Sequence, residues 1–327
     1  MKRREFITLL GGAVTAWPLA ARAQQGAMQV IGLLTSRAAG DVPQLLAAFR
    51  QGLNDAGFVE GQNVAIEYRF AENRADRLPA LAAELVQRQV SVIAALNTTA
   101  ALAAKAATAT IPVVFEMGGD PVRLGLVPNL NRPGGNVTGA TQLNVVVAPK
   151  RLELLHELLP TATVMATLID RSDTASAEVT TRSLQAAAHT LGLTLHVLSA
   201  STEADFDQAF AKLMELGARG LVIGGSPFFI GRDEQLAALA ARYGVPTIFE
   251  TRGFIAAGGL MSYGGAITEA YRLAGVYTGR VLKGEKAGEL PVQQSTKVEM
   301  FLNLKAATAL GISVPLPLLG RADEVIE

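Results

Sequence analysis

Short apolar runs alternate along this chain with longer stretches whose apolar positions recur every three or four residues. Gln29 to Thr35 reads as a buried strand, and Leu45, Leu46, Phe49, Leu53 and Ala56 then fall at helical spacing, closed by Gly57. Val64 to Phe70 predicts a second strand, and Leu78, Leu81, Leu85 and Val86 a second helix. Ser91 to Leu96 predicts a third strand, Thr98 to about Ala109 an alanine-rich helix, and Pro112 to Met117 a fourth strand. Gly118 to Thr141 breaks this rhythm with the loop-rich stretches GGDPV and NLNRPGGNVTG. The alternation then restarts. Helices are predicted over Lys150 to Leu159, Ala175 to Leu191, Phe206 to Met214 and Leu236 to Tyr243. Strands are predicted over Val164 to Ile169, Thr194 to Leu198, Gly220 to Ile223 and Thr247 to Phe249.

Two βα arrays of similar size, joined near 139–145, predict an α/β protein of two lobes. Each lobe is a doubly wound parallel sheet with helices on both faces. Ligands bind such sheets beyond the carboxyl ends of the strands. The C-terminal third forms no third array. Gly258 to Gly264 is extended, Ala266 to Leu282 helical, Leu290 to Leu302 extended again, and Lys305 to Leu310 a short helix. Such leftover elements complete both lobes by crossing back and forth, which makes a multi-strand hinge.

The first 23 residues belong to a different pattern. Lys2, Arg3 and Arg4 precede a mostly apolar stretch from Ile7 to Leu19, and Ala21-Arg22-Ala23 has the small-x-small form of a cleavage site. Thirteen residues are too few to span a bilayer, which takes about 20. The segment therefore reads as an export signal peptide. Arg3-Arg4-Glu5-Phe6-Ile7 is similar to the twin-arginine signature, although Lys2 and Thr8 depart from it and general secretion stays open. No later apolar run reaches 18 residues, so a soluble protein in the periplasm is expected.

Charge and composition then exclude several functions. The chain of 327 residues has 29 basic and 29 acidic side chains, three His and no Cys. The leader carries four basic residues and one acidic, so removing it leaves about three net negative charges. That argues against nucleic acid as a partner. Without Cys there is no thiolate metal site, no Cys nucleophile and no lipid anchor at the cleavage site. His156, His189 and His196 lie apart, and His156-Glu157-Leu158-Leu159-Pro160 lacks the second His of a zinc-protease helix. Gly224-Gly225-Ser226-Pro227-Phe228 lacks the last Gly of a nucleophile elbow, and no dinucleotide or P-loop fingerprint occurs. Neither a metal, a cofactor nor an enzymatic activity is expected.

Several stretches carry a family resemblance. They are Gly119-Asp120-Pro121-Val122 with Gly125-Leu126-Val127, Pro133 to Gly139 (PGGNVTG), Gly258 to Gly264 (GGLMSYG), Leu290-Pro291-Val292, Asn303 to Ile312 (NLKAATALGI) and Arg321 to Ile326 (RADEVI). In this order the chain resembles the ABC transporter substrate-binding proteins of the tryptophan/tyrosine-binding type, which have the type I periplasmic-binding fold. The resemblance implies capture of a small solute, an amino acid or related molecule, with aromatic amino acids the family's best-known ligands. It also implies delivery to the transmembrane subunits of an ABC permease, by a protein expected to be a monomer. It places residues 27–140 and 263–288 in one lobe and 141–262 and 289–327 in the other, with hinge crossings near 139–143, 258–264 and 289–299.

Candidate ligand-binding residues are those just past strand ends. Ser36 follows the first strand. Asn97, Thr98 and Thr99 follow the third and open a helix, where free backbone N–H groups can seat a carboxylate, although Asn97 or Thr98 can equally serve as a plain cap. Gly119 admits close backbone approach, and Asp120 either accepts from an ammonium or shapes a turn before Pro121. In the second lobe Ser172, Ser226 and Glu250 follow strands, and Glu250 is either an ammonium partner or one side of a salt bridge. Phe228 and Tyr263 are candidates to stack on a ring, with core packing as the alternative for Phe228. Two other functions share the fold: an exported α/β enzyme using the same cleft, and the sensory domain of a signalling system.

Overall fold

The computed structural model describes residues 28–142, 144–295 and 297–327. The expected export segment and residue 27 lie outside the described residues. The strands are β1 (Gln29–Thr35), β2 (Val64–Phe70), β3 (Val92–Leu96), β4 (Val113–Met117), β5 (Val137–Thr141), β6 (Val164–Ile169) and β7 (Thr194–Ser199). They continue with β8 (Leu221–Ile223), β9 (Thr247–Phe249), β10 (Met261–Gly265), β11 (Gln293–Gln294), β12 (Val298–Asn303) and β13 (Glu324–Ile326). Among the helices, α1 (Pro43–Asp55), α2 (Leu78–Gln87), α3 (Thr98–Ala107), α4 (Ala148–Leu158), α5 (Thr174–Leu191) and α6 (Ala204–Glu215) fill the βα arrays. After them come α7 (Pro227–Ile230), α8 (Asp233–Tyr243), α9 (Arg252–Ala256), α10 (Ile267–Leu282), α11 (Leu304–Ala309) and α12 (Leu316–Leu319).

Two sheets form, in the orders β11-β5-β4-β3-β1-β2 and β13-β12-β10-β9-β8-β6-β7. The first is parallel throughout. The second is parallel except where β10 meets β12. This is the expected pair of doubly wound lobes. Strands β3 and β4 are buried along their whole length because helices cover both faces, whereas the edge strands β2 and β7 are mostly half-buried. Each lobe has a core on either side of its sheet. Leu33, Phe49 and Tyr271 pack on one face of the first, and Leu85, Ala101 and Phe115 on the other. Phe206, Phe210 and Leu236 pack on one face of the second, and Leu152, Leu155 and Leu184 on the other. No helix among the described residues is long and apolar enough to cross a membrane.

The structure departs from the sequence pattern in identifiable places. Val137–Thr141, expected to be loop, is the buried strand β5 beside β4. Its glycine hid it, yet Gly139 is required there, because a Cβ would overlap the Phe115 carbonyl oxygen. The lobe boundaries also shift. Residues 263–265 belong to β10 and so to the second sheet, while Gln293 and Gln294 pair with β5 in the first. The crossings therefore lie at 141–144, near 266 and at 295–298. They touch one another: the Gly265 N–H donates to Asn144 Oδ1 at 2.6 Å, and the Ser295 N–H to the Thr141 carbonyl at 2.8 Å.

Helix α10 lies against α1 with unusually close backbones. A Cβ on Gly52 would overlap the Arg272 carbonyl oxygen, and one on Gly275 the Phe49 carbonyl oxygen. The second visit of the chain to the first lobe is anchored by this contact. Gly275→Val is expected to cost about 3 kcal/mol or more through overpacking, measured as a lowered urea midpoint. An unchanged midpoint would show that the helices do not need this approach.

Candidate functional site

The carboxyl ends of β1, β3, β4 and β5 face those of β6, β8 and β9 across a narrow gap. Each strand is apolar inside its sheet and turns polar where it ends. From the first lobe come Arg37, Asn97, Thr98, Glu116, Gly118, Gln142 and Asn144, and from the second Asp173, Ser226 and Glu250. The lobes are closed on one another. Arg37 Nη1 donates to the Pro227 carbonyl at 2.9 Å, and Arg232 Nη1 pairs with Asp41 at 2.7 Å. The pocket that these residues line measures about 30 Å³, room for a water or two and not for an amino acid. A solute of that size enters only when the lobes part.

Helix starts organise much of the gap. Asn97 caps α3: its Oδ1 accepts from the Ala100 N–H and from Thr99 Oγ1, both at 2.9 Å, and its Nδ2 donates to Thr35 Oγ1 at 2.8 Å. These three bonds hold it at φ 150° and ψ 169°, a region nearly exclusive to glycine, and such strain concentrates at functional sites. The first-turn N–H groups of Thr98 and Thr99 have no acceptor within the helix. Asp173 caps α5 through the Ser176 N–H. Asp170 is fully engaged, with Oδ1 accepting from the Ser172 N–H and hydroxyl and Oδ2 from the Ser226 hydroxyl.

The gap is rich in buried charge. Glu116 is 1% exposed and its Oε1 has no hydrogen-bond donor. Burial pushes its carboxyl up to about 8; the Arg37 guanidinium opposes this and Glu250 adds to it. Burial also raises Asp173 to about 6. Glu250 is raised by burial against the pull of Arg151, whose Nη2 lies 3.6 Å away. Arg151 is itself fully buried, and desolvation lowers its pKa. Its Nη1 donates to the Tyr263 carbonyl at 3.0 Å and its Nη2 to the Asn144 carbonyl at 2.8 Å. Gly225 leaves space for the Glu250 carboxylate, since a Cβ would sit 2.5 Å from Oε2.

Of the residues chosen from the sequence, Asn97, Thr98, Ser226 and Glu250 line the gap. Ser36, Thr99, Ser172 and an edge of Phe228 line an adjoining slot of about 10 Å³. The Phe228 ring is otherwise occupied, stacked on Phe206 at 5.5 Å with the Arg232 guanidinium 4.6 Å from its centre. Three residues fall elsewhere. Asp120 is a turn residue, its Oδ1 accepting from the Val122 and Arg123 N–H groups. Gly119 is turned from the gap, toward the Leu124 side chain, and its neighbour Gly118 lines the gap instead. The Tyr263 ring packs on the second lobe's core, because strand alternation sends it away from the gap.

Arg37, Glu116, Gln142, Asn144 and Arg151 escaped the sequence reading. Two of them left a signal there. Glu116 interrupts the apolar run VVFEM, and Arg151 sits at helical spacing with Leu155 and Leu158 on the buried face of α4. Among the described residues no group of three or more His, Asp or Glu is arranged to hold a metal.

Replacing Arg151 tests how the gap is held. Arg151→Leu strips Glu250 of its counter-ion and is expected to cost about 3–5 kcal/mol at pH 8. Because the folded Glu250 pKa is raised, the carboxylate takes up a proton as pH falls, and the loss shrinks at pH 5. Urea unfolding at the two pH values measures both, and equal losses would rule out the charge as the cause.

The chain is similar to several known proteins. The family described as ABC transporter substrate binding protein matches residues 43–326. A tyrosine-binding protein of Clostridioides difficile (strain R20291) is 27% identical over 268 residues, 80% of this chain and 75% of that protein. The ABC domain of a Streptococcus pneumoniae protein, solved in complex with L-Trp, superposes with a TM-score of 0.81 at 22% identity, covering 92% of this chain and 100% of that one. A ligand-free, open substrate binding protein with adhesive properties from Clostridium difficile gives 0.62 at 24% identity, covering 91% and 99%. With nearly its whole described length matched and its polar strand ends enclosed between two lobes, the chain belongs to the ABC transporter substrate-binding proteins.

Proposed function

We propose that the protein is an exported, periplasmic receptor that encloses an amino-acid-like solute between its lobes and presents it to the permease subunits of an ABC importer, without chemical conversion. The observation that carries this reading is the set of buried polar atoms lining the gap that accept no hydrogen bond: Glu116 Oε1, Gln142 Oε1 and Glu250 Oε2, the last with only Arg151 Nη2 3.6 Å away. A native structure satisfies nearly all such groups, so several acceptors without donors lining one interlobe cleft point to a partner that binds there. The tyrosine-binding relative and the tryptophan complex support an amino-acid-like solute. The twin-arginine-like leader and its small-x-small end support export, and closing about a hinge supplies the two states that a permease distinguishes.

A thermal-shift screen of amino acids, aromatic acids and purines tests the reading, together with mass spectrometry of any solute that co-purifies. A true ligand at a hundred times its Kd stabilises the folded state by about 2.7 kcal/mol. Stabilisation by no compound, combined with turnover of one of them, would overturn it. In the same assay Asp120→Ala is expected to leave affinity for that ligand unchanged, since its carboxylate only caps a turn. Glu250→Ala is expected to weaken a solute bearing an ammonium group by about 2–5 kcal/mol.

A further inference from the structure

The gap contains more acidic groups than cations to pair with them. Glu116, Asp170, Asp173 and Glu250 are all buried around it, against the guanidiniums of Arg37 and Arg151. Both terminal nitrogens of Arg151 are spent on backbone carbonyls, and Arg37 Nη1 on the Pro227 carbonyl. Asp170 and Asp173 have protein donors. Glu116 and Glu250 each have a carboxylate oxygen with none, and the Gln142 oxygen beside them has none either. On the donor side, Arg37 Nε is buried at the gap and likewise has no hydrogen-bond partner.

The geometry points to a solute of net positive charge, which presents a guanidinium- or ammonium-type group with several N–H donors to Glu116, Gln142 and Glu250. This rests on the receptor reading and narrows its ligand class. Acceptor groups that line the gap from both lobes suit a multi-donor cation, which draws the lobes together as it pairs with each. Arg37 Nε and the start of α3 have room in this scheme for one carboxylate and no more. A neutral aromatic zwitterion would satisfy one acid and leave the other buried without a partner, at the cost of an unpaired buried charge or a retained proton.

The same arrangement couples binding to protons. Glu116 is faced by Arg37 and Tyr271 within its lobe and by Glu250 across the gap. Glu250 is faced by Arg151, Asp173 and Asp233 within its lobe and by Arg37 across the gap. In the empty site burial keeps Glu116 protonated up to about pH 8. An incoming cation favours the carboxylate, so the proton leaves to solvent. Affinity therefore rises with pH, on the order of tenfold per unit below pH 8 for each proton released.

Isothermal titration calorimetry of the purified protein at pH 7.5 tests the proposal, with L-arginine, agmatine and putrescine as cations and L-citrulline, L-tryptophan and L-tyrosine as neutral counterparts. At least one cation is expected to bind ten times more tightly than every neutral compound, with proton release and with weaker binding at pH 6. Glu116→Gln and, independently, Glu250→Gln are expected to weaken that cation at least tenfold. Glutamine keeps the size of each side chain without its charge, and at position 116 it copies the protonated acid of the unliganded site; urea unfolding of each variant verifies that the fold is retained. Silence from all three cations, or Gln variants that bind as the wild type does, would overturn the proposal. Tryptophan or tyrosine binding as tightly as the cations would overturn it too, yet leave the receptor reading standing. That reading falls only with the wider screen.

Discussion

A buried arginine sets the geometry on which the two lobes depend. Arg151 has no solvent exposure, and its guanidinium grips the Asn144 and Tyr263 carbonyls while lying 3.6 Å from Glu250. Taking such a charge out of water costs several kcal/mol, and it stays ionised only when carbonyl dipoles and a carboxylate surround it. Asn144 lies where the chain passes between the sheets, and Tyr263 lies in β10 just before the next crossing. The need to solvate one cation thus fixes where two crossings lie relative to each other. Gly264 and Gly265 make the approach possible, because a Cβ on Gly264 would overlap the Glu250 carbonyl oxygen. The planar, multi-donor shape of arginine lets one side chain serve several acceptors, which lysine's point charge would do less well.

This clamp delivers Glu250 to the gap with its counter-ion 3.6 Å from Oε2 and no hydrogen bond to that oxygen. Parallel topology does the rest. Every β1–β6 and β8–β9 strand that points at the cleft does so with its carboxyl end, and the following helix start brings capped N–H groups to the same place. The lobes meet through Arg37 and Pro227, and through Arg232 and Asp41, so the protein closes with ties of its own. Both side chains of the Arg232–Asp41 pair are about 15% exposed, and the Asn73 and Arg232 contacts hold the Asp41 carboxyl below its usual range despite its burial. A solute has to outweigh these ties in one state and complement the orphan acceptors in the other, which is how differential binding moves a two-state equilibrium.

Much of the scaffold was legible because burial writes itself into periodicity. β3 and β4 are continuous apolar runs, and α10 has the spacing of an amphipathic helix. Asn97, Ser226 and Glu250 were legible as polar residues just past strand ends, the position from which side chains reach a cleft. Asp120 and Tyr263 occupied equally suggestive positions and belong to a turn and to a core. Position along the chain does not say which way a side chain points once the strand has twisted and the turn has closed. Glu116 was the opposite case, a charge concealed inside a strand whose neighbours all read as core.

By itself the sequence determined the two βα arrays, the absence of thiol chemistry and the polar character of the strand ends, since these follow from local periodicity and composition. Only the tertiary structure decided which carboxylates face each other. Glu116 and Glu250 are far apart in sequence and come from different sheets, and their fields add only because the hinge folds one lobe over the other. The charge of the site, and the kind of solute that completes it, belong to that closure and to no single segment.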